Sequence, residues 1–331
     1  MHPMHPFARA LNLLALAALG AALPAFAADP GQGYPDRPIR FIVPQGIGAS
    51  TDSLSRVLAL RLGETLGQQL VVDNRPGAAG IIGMELGARA APDGYTLLAT
   101  ATATQVIAPQ LYRKLAFDPF KDLQPVSLFG VTQNVLVVHP PLPARTVKEF
   151  VVLLKSAPNK LNMASAGAGS QSHLAGVQFL LLTGTQAVHV PYKGGGASVA
   201  AVFAGEAQFT ITPLPATIAH VRSGRLRALG VGGEKRSPQL PELPTIAEAG
   251  VPGYQSTGWV GLMAPHGLPR PIFDKLYAAF LKTMAQPETR ELIDRQGGEP
   301  VTSTPQEFAK FIREEWNRFG AAIKAANLQV E

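Results

Sequence analysis

The sequence predicts an α/β protein on three observations. Short β-rich apolar runs alternate with stretches whose apolar residues recur at helical spacing, and several of those runs enter the next helix through a glycine-bearing turn. The 331 residues also carry 33 glycines and 29 prolines, the punctuation of many short connections. Behind an N-terminal leader about 300 residues remain, past the size at which single hydrophobic cores usually stop growing, so two domains are expected.

The leader is Met1 to Ala27. Arg9 precedes an apolar run from Leu11 to Leu23, and Ala25-Phe26-Ala27 places small residues where a signal peptidase cuts. Residues 1–27 are therefore read as a signal peptide cleaved after about Ala27. No later segment is long or apolar enough to span a bilayer, so an exported, soluble chain is expected. Cysteine is absent, which excludes disulfides, a thiolate nucleophile and a lipid-bearing cysteine behind the signal. The net charge is +6, of which Arg9 leaves with the leader; the excess is a mild bias toward anionic small molecules. The densest basic stretch, Arg222 to Arg227, is short and free of interleaved aromatics, so no nucleic-acid partner is expected.

Ile39 to Val43 reads as a strand closed by Pro44, and Leu54, Val57, Leu58, Leu62 and Leu66 follow at helical spacing. Between them lies Pro44-Gln45-Gly46-Ile47-Gly48-Ala49-Ser50-Thr51-Asp52, with Ser50, Thr51 and Asp52 as three candidate helix caps. Such a turn leaves backbone N–H groups at the positive end of a helix and lets a ligand approach the main chain, so it suits an anion. Leu70 to Val72 is a second strand ending at Asp73, then Asn74-Arg75-Pro76-Gly77 a turn. This outline resembles a dinucleotide fingerprint, but the third glycine position is Thr51 and Pro44-Gln45 lengthens the turn, so that reading is set aside.

Gly80 to Ala91 reads as a short packed helix and Tyr95 to Ala99 as a third strand, followed by the hydroxyl-rich run Thr100 to Gln105. Those hydroxyls serve either a ligand or the cap of the next helix. Val126–Val131 and Asn134–Val138 are β-rich, Val147–Lys155 is helical and Leu161–Ala164 is a strand. A second loop of the opening kind follows, Ser165 to Ser170, running into Leu174, Val177 and Leu181. His173 falls in that helix's first turn, where local hydrogen bonding is its simplest role. Val188–Val190 is a strand, and Tyr192-Lys193-Gly194-Gly195-Gly196 again points to close backbone approach. Gln208–Thr212, Leu226–Val231 and Gly258–Ala264 complete the strands, with Pro238 to Pro252 as a surface excursion. The remainder is helical: Ile272–Met284, Pro287–Gln296, and a last helix opened by the capping box Thr304-Pro305-Gln306-Glu307. Its stripe of Phe308, Phe311, Ile312, Trp316, Phe319 and Ile323 is core packing.

Reactive constellations are missing from the sequence. There is no Gly-x-Ser-x-Gly elbow, Ser-x-x-Lys, His-Glu-x-x-His or phosphate-binding Gly-x-x-x-x-Gly-Lys-Ser/Thr loop. The histidines beyond the leader, His139, His173, His189, His220 and His266, are dispersed. A binding protein is expected rather than an enzyme, with no catalytic residue, metal or cofactor, although a site assembled only in space stays open.

Several motifs, in order, carry a resemblance. They are Tyr34-Pro35-Asp36-Arg37-Pro38-Ile39, the Pro44 to Asp52 turn, Val72-Asp73-Asn74-Arg75-Pro76-Gly77-Ala78, Pro92 to Leu98, Ala164 to Ser170, His189 to Gly194, Pro244 to Gly250 and Thr304 to Ile312. On these the chain resembles the Bug-type periplasmic solute receptors of tripartite tricarboxylate transporters from Tyr34 essentially to its C-terminus. The resemblance implies a periplasmic binding protein of type II, the Venus flytrap: two α/β domains joined by a hinge that the chain crosses twice, near Val126–Val131 and Thr257–Leu262. Domain one would comprise residues 28–129 and 258–331, and domain two residues 130–257. It further implies a small organic carboxylate in the cleft, held by amides and hydroxyls of the two glycine turns and by ordered waters, a monomer in the periplasm, and membrane permease subunits as partners. A ligand sensor using the same cleft is the alternative role.

The expected ligand-binding residues are Gln45, Gly48, Ala49, Ser50 and Thr51 from the first turn, and Thr102 and Thr104 from the hydroxyl run. The second turn adds Ser165, Gly167, Gly169 and Ser170, and Tyr192, Lys193 and Thr212 complete the set. Three departures from the family pattern bear on the ligand: Gln45 stands where an aromatic residue is usual, Ala49 where a second glycine is usual, and Thr212-Pro213 where an acid and asparagine are common. The missing acid implies a carboxylate without an ammonium group.

Overall fold

The first strand, turn and helix set the pattern for the whole chain. The computed structural model describes residues 32–112 and 114–325, so the leader read over 1–27 lies outside the described residues. Strand β1 (Ile39–Val43) is buried along almost its whole length, as a strand with parallel neighbours on both sides must be. Those neighbours are β2 (Leu70–Asn74) and β3 (Thr96–Ala101). Helix α1 (Ser50–Leu66) makes the crossover and ends at Gly67 in the left-handed conformation, φ 73°. Leu54, Leu58 and Leu62 on its inner face join Ile39, Phe41 and Phe129 in one core.

The next elements are α2 (Ile81–Ala88), a π-helical turn over Thr102–Ile107, α3 (Ala108–Leu111) and β4 (Leu123–Val138). The sequence suggests two strands in β4's place; the structure has one of 16 residues. Its register shifts at Pro125/Ser127 and again at Leu128/Gly130, and such bulges let a single strand bend from one sheet into another. From Leu123 to Gln133 it pairs with β9 (Thr257–Pro265), and from Asn134 to Val138 with β7 (Phe209–Pro213) and β8 (Arg227–Val231).

The second half contains α4 (Val147–Ser156), β5 (Asn162–Ser165), α5 (Gln171–Thr183), β6 (Val188–Pro191), α6 (Gly195–Ala204) and α7 (Ile218–Arg222). The strands run β2-β1-β3-β9-β4-β7-β5-β6, with β8 and the short β10 (Gly298–Glu299) also on β4. Chain leaves and returns at one point. Asn134 N–H donates to Ser256 O at 3.1 Å, Gly232 N–H to Asn134 O at 2.7 Å, and Ser256 N–H to Gly232 O at 2.7 Å. Each half has its own core: Phe150, Phe179 and Phe209 fill the second. The excursion over residues 238–252 is not merely superficial, since it buries Leu240, Ile246 and Val251.

Helices α8 (Arg270–Ala285), α9 (Pro287–Arg295) and α10 (Pro305–Ala325) return to the first half. Ile272, Leu276 and Phe280 enter the core of β1, and the α10 stripe packs Phe308 and Ile312 with Trp259. The capping box at its start is formed: Thr304 N–H donates to Glu307 Oε2 at 2.8 Å and Glu307 N–H to Thr304 Oγ1 at 3.2 Å.

Candidate functional site

The first turn begins the site. Three hydroxyl or acidic residues are expected to cap α1, yet the N-cap position falls at Ala49 and no side chain caps it. Asp52 explains this. Buried at 2% exposure, it folds back to accept Gly48 N–H at 2.9 Å, Asn74 Nδ2–H at 2.8 Å and Arg56 Nε–H at 3.1 Å. The acid therefore braces the turn from behind and leaves the first amides of α1 free. Helix α6 starts the same way, at Gly194, with no side-chain cap.

These two starts meet. A Cβ built on Gly195 would stand 3.7 Å from Ala49 Cα, and one on Gly196 only 2.7 Å from Ile47 O. The glycines after Tyr192-Lys193 thus allow close backbone approach, as expected, and what approaches is the turn from the other half of the molecule. Two uncapped positive helix ends, one from each half, come together beside a cleft of about 590 Å³.

The Ser165 to Ser170 loop forms another wall and is closed on itself. Ala166 N–H donates to Ser172 Oγ, Gly167 N–H to Ser165 Oγ, Gly169 N–H to His173 Nδ1 and His173 N–H to Ser170 Oγ, at 2.9–3.3 Å. His173 does have the local structural role suggested for it. Its ring stacks on His189 at 3.9 Å between centroids. Burial first, and the neighbouring His189 second, lower its pKa to about 4, so the neutral ring that accepts from Gly169 persists at neutral pH. Ser165 Oγ lies 2.6 Å from His189 Nε2. That Ser–His contact is the kind of site spacing along a chain does not reveal, but Ser165 is fully buried.

A fourth turn was not foreseen as part of the site. Gly77, Ala78, Ala79 and Gly80 all line the cleft with positive φ, of 124°, 47°, 53° and 99°. Two consecutive left-handed alanines are costly and cluster at functional sites. The turn is tightly packed at its end: a Cβ on Gly80 would lie 2.4 Å from Thr104 Cγ2 and 3.0 Å from Pro44 O, which puts this turn directly against the first. The one signal in the sequence is a glycine pair enclosing two alanines after Pro76.

Of the expected residues, Gln45, Ala49, Ser50, Gly167, Ser170, Tyr192, Lys193 and Thr212 line the cleft. The others lie elsewhere. Gly48 is exposed and faces Gly196 without lining the cleft, and Gly169 is buried. Thr51 is fully buried, with Oγ1 unpartnered among the described residues. Thr102 Oγ1 accepts Trp259 N–H at 3.0 Å, and Thr104 Oγ1 accepts Ala101 N–H at 3.0 Å, so both hydroxyls are committed to backbone. Ser165 is held by His189. Trp259, buried and lining the cleft, also went unpredicted; its Nε1–H donates to Glu315 Oε2 at 3.2 Å. Gln171 joins the cleft to the strand crossing, since its Nε2–H donates to Asn134 Oδ1 at 3.4 Å, and Asn134 Nδ2–H in turn donates to Ser256 Oγ.

Lys193 is the one charged side chain among the described residues that line the cleft. No group of three or more His, Asp or Glu stands together as a metal site among the described residues. Two α/β halves sharing a strand and enclosing a cleft of helix N-termini define an α/β solute-binding protein. The chain belongs to the tripartite tricarboxylate transporter receptor family, whose model matches residues 54–328. Members of this family are periplasmic solute-binding receptors. Protein BugT of Bordetella pertussis is 36% identical over 299 residues, covering 90% of this chain and 92% of BugT. Among solved structures, the periplasmic binding protein BugD has a TM-score of 0.85 at 30% identity, covering 90% of this chain and all of that one. R. palustris Rpa4515 with adipate has a TM-score of 0.86 at 32% identity, covering 89% and 99%.

Proposed function

We propose that this receptor binds a small organic carboxylate between its two halves and delivers it to the membrane permease of a tripartite tricarboxylate-type transporter. One observation carries the reading: the uncapped N-termini of α1 and α6, one from each half, meet at one edge of the cleft. Two positive helix ends repel, and a carboxylate in the adjoining cleft offsets that repulsion while accepting free amides at their start. Closure would therefore be coupled to the anion. The adipate held by Rpa4515 supports the same ligand chemistry.

The halves that close are residues 28–129 with 258–331, and 130–257; the change of strand partners between Gln133 and Asn134 supports a hinge there. Contact with the ligand falls to Gln45, Ala49, Ser50, Gly167, Ser170, Tyr192, Lys193 and Thr212, with the Gly77–Gly80 turn beside them. No acidic side chain among the described residues lines the cleft, which favours a ligand without an ammonium group. The protein acts as a periplasmic monomer behind a cleaved signal peptide and turns nothing over; the buried Ser165–His189 pair serves the loop. A thermal-shift screen of mono-, di- and tricarboxylates against amino acids tests this, because a ligand of the folded state raises the melting temperature by mass action. Binding of amino acids with all plain organic acids inert would overturn it.

A further inference from the structure

Helix α5 belongs to one half of the molecule and touches the other. Its Ala175 and Phe179 sit in the core of the second half, but Leu174 packs on the core that Ile42, Trp259 and Phe308 form in the first. Gln171, three residues before Leu174 and so on the same face of the helix, lines the cleft. The first turn of α5 thus meets the cleft and the opposite half together.

Gln171 also reaches the strand crossing. Its Nε2–H donates at 3.4 Å to Oδ1 of Asn134, the fully buried residue at which β4 exchanges β9 for β7. A contact at the outer limit of a hydrogen bond is made or broken by a small shift. Asn134 Nδ2–H in turn donates to Ser256 Oγ, where the chain returns to the first half. The Gln171 amide also rests on Gly258 of β9: a Cβ there would collide with Nε2 and lie 2.6 Å from Oε1. Gly258 has no positive φ, so room for this side chain, not backbone conformation, accounts for the glycine in a buried strand. A side chain of the second half is therefore seated on a strand of the first, beside the hinge, and rotation of the halves changes that seat.

We propose that Gln171 is a positioning residue that couples the ligand in the cleft to the hinge. An amide carries two N–H donors and Asn134 takes one, which leaves the other for a carboxylate oxygen. A carboxylate that accepts it fixes the side chain in its seat on Gly258, and so favours the angle between the halves at which that seat exists. This rests on the carboxylate reading above and adds the residue through which binding drives closure.

A double-mutant cycle on the full mature protein tests it, with succinate, adipate, citrate and benzoate as probes and the tightest of the four carried through calorimetry. Gly258→Ala displaces the amide and Gln171→Ala removes it, and each is expected to weaken binding about tenfold. The double variant has room for the new methyl and should bind no worse than Gln171→Ala alone. Small-angle scattering at saturating probe should show a smaller fall in the radius of gyration for Gln171→Ala than for the wild type. Should Gly258→Ala fail to fold, the affinity and scattering of Gln171→Ala decide alone. An unchanged Kd in Gln171→Ala, losses that multiply in the double variant, or a full fall in its radius of gyration would overturn the proposal and leave the carboxylate reading intact. All four probes silent against the wild type would overturn both.

Discussion

Gly196 offers a perturbation that acts on the contact between the two turns and almost nowhere else. It is the second residue of α6 and has no positive φ, so Gly196→Ala is compatible with its own backbone. The added Cβ would sit 2.7 Å from Ile47 O, a backbone atom of the opposite half that no rotamer change can move. Relief requires the two turns to separate by roughly half an ångström, and overpacking of this kind costs about 1–3 kcal/mol. Charged to closure alone, that weakens binding about 5- to 150-fold. Within its own half the same change replaces glycine by alanine in a helix, which stabilises by about 0.5–1 kcal/mol. The two effects have opposite signs. Calorimetry with the best carboxylate should show the weaker Kd, while the ligand-free protein melts at the same temperature or slightly higher. An unchanged Kd would refute the contact across the cleft, and a lower ligand-free melting temperature would refute the claim that the contact belongs to closure rather than to folding.

Ala79→Gly relieves a left-handed alanine at φ 53° and is expected to raise the urea midpoint, stabilising by about 1 kcal/mol; an unchanged or lower midpoint would refute the strain assigned to this turn. Gly48 and Gly169 separate by position. Gly48→Val forces a β-branched residue to φ 77° facing Gly196, so it should weaken binding and lower the melting temperature through strain, whereas Gly169→Val, buried at φ 73° with its N–H on His173, should lower the melting temperature further. His173 is held neutral, with a folded pKa of about 4 below its ordinary 6.5. Its contribution is therefore fully present above about pH 6.5 and lost progressively as pH falls toward 4, so melting temperature should decline across that window and decline less in His173→Asn.

Most of the fold was legible because its elements are consistent locally: β1 ends at Pro44, α1 combines helical spacing with Gly67 at its end, and α4 and α10 combine that spacing with a threonine at the start. The misses have physical causes. β4 reads as two strands because polar Thr132-Gln133 interrupts the β-rich run between Val131 and Asn134, although both residues stay in the ladder with β9. The run Thr100–Gln105 reads as ligand hydroxyls or a cap. The cap is what the structure has, since Thr104 Oγ1 accepts the N–H of Ala101, which opens the π-turn, at 3.0 Å; the ligand role of Thr102 and Thr104 is the miss, because both hydroxyls bind backbone.

Glycine content marks where a main chain must be approached, but it does not say by what, and this limited the reading of the site. The Ser165–Ser170 and Lys193–Gly196 loops look alike as sequence. The first is rich in Ser and His side chains at two to six residues' distance, and those side chains consume its own amides. In the second, the nearby Ser198 donates to Gly195 O instead of capping an amide and only Gly194 N–H is spent, on Ala166 O and Tyr192 O, so the start of α6 has no side-chain cap and its glycines admit Ile47 from the opposite half. Asp52 makes the converse point: its carboxylate sits where a cap belongs, yet three other donors claim it, and the helix start it might have closed stays open. A turn's capacity to bind an anion is thus decided by which nearby side chains are already occupied. By that measure the opposing jaw to Pro44–Asp52 is Lys193–Gly196, and Ser165–Ser170 is the rigid wall that shapes what lies between them.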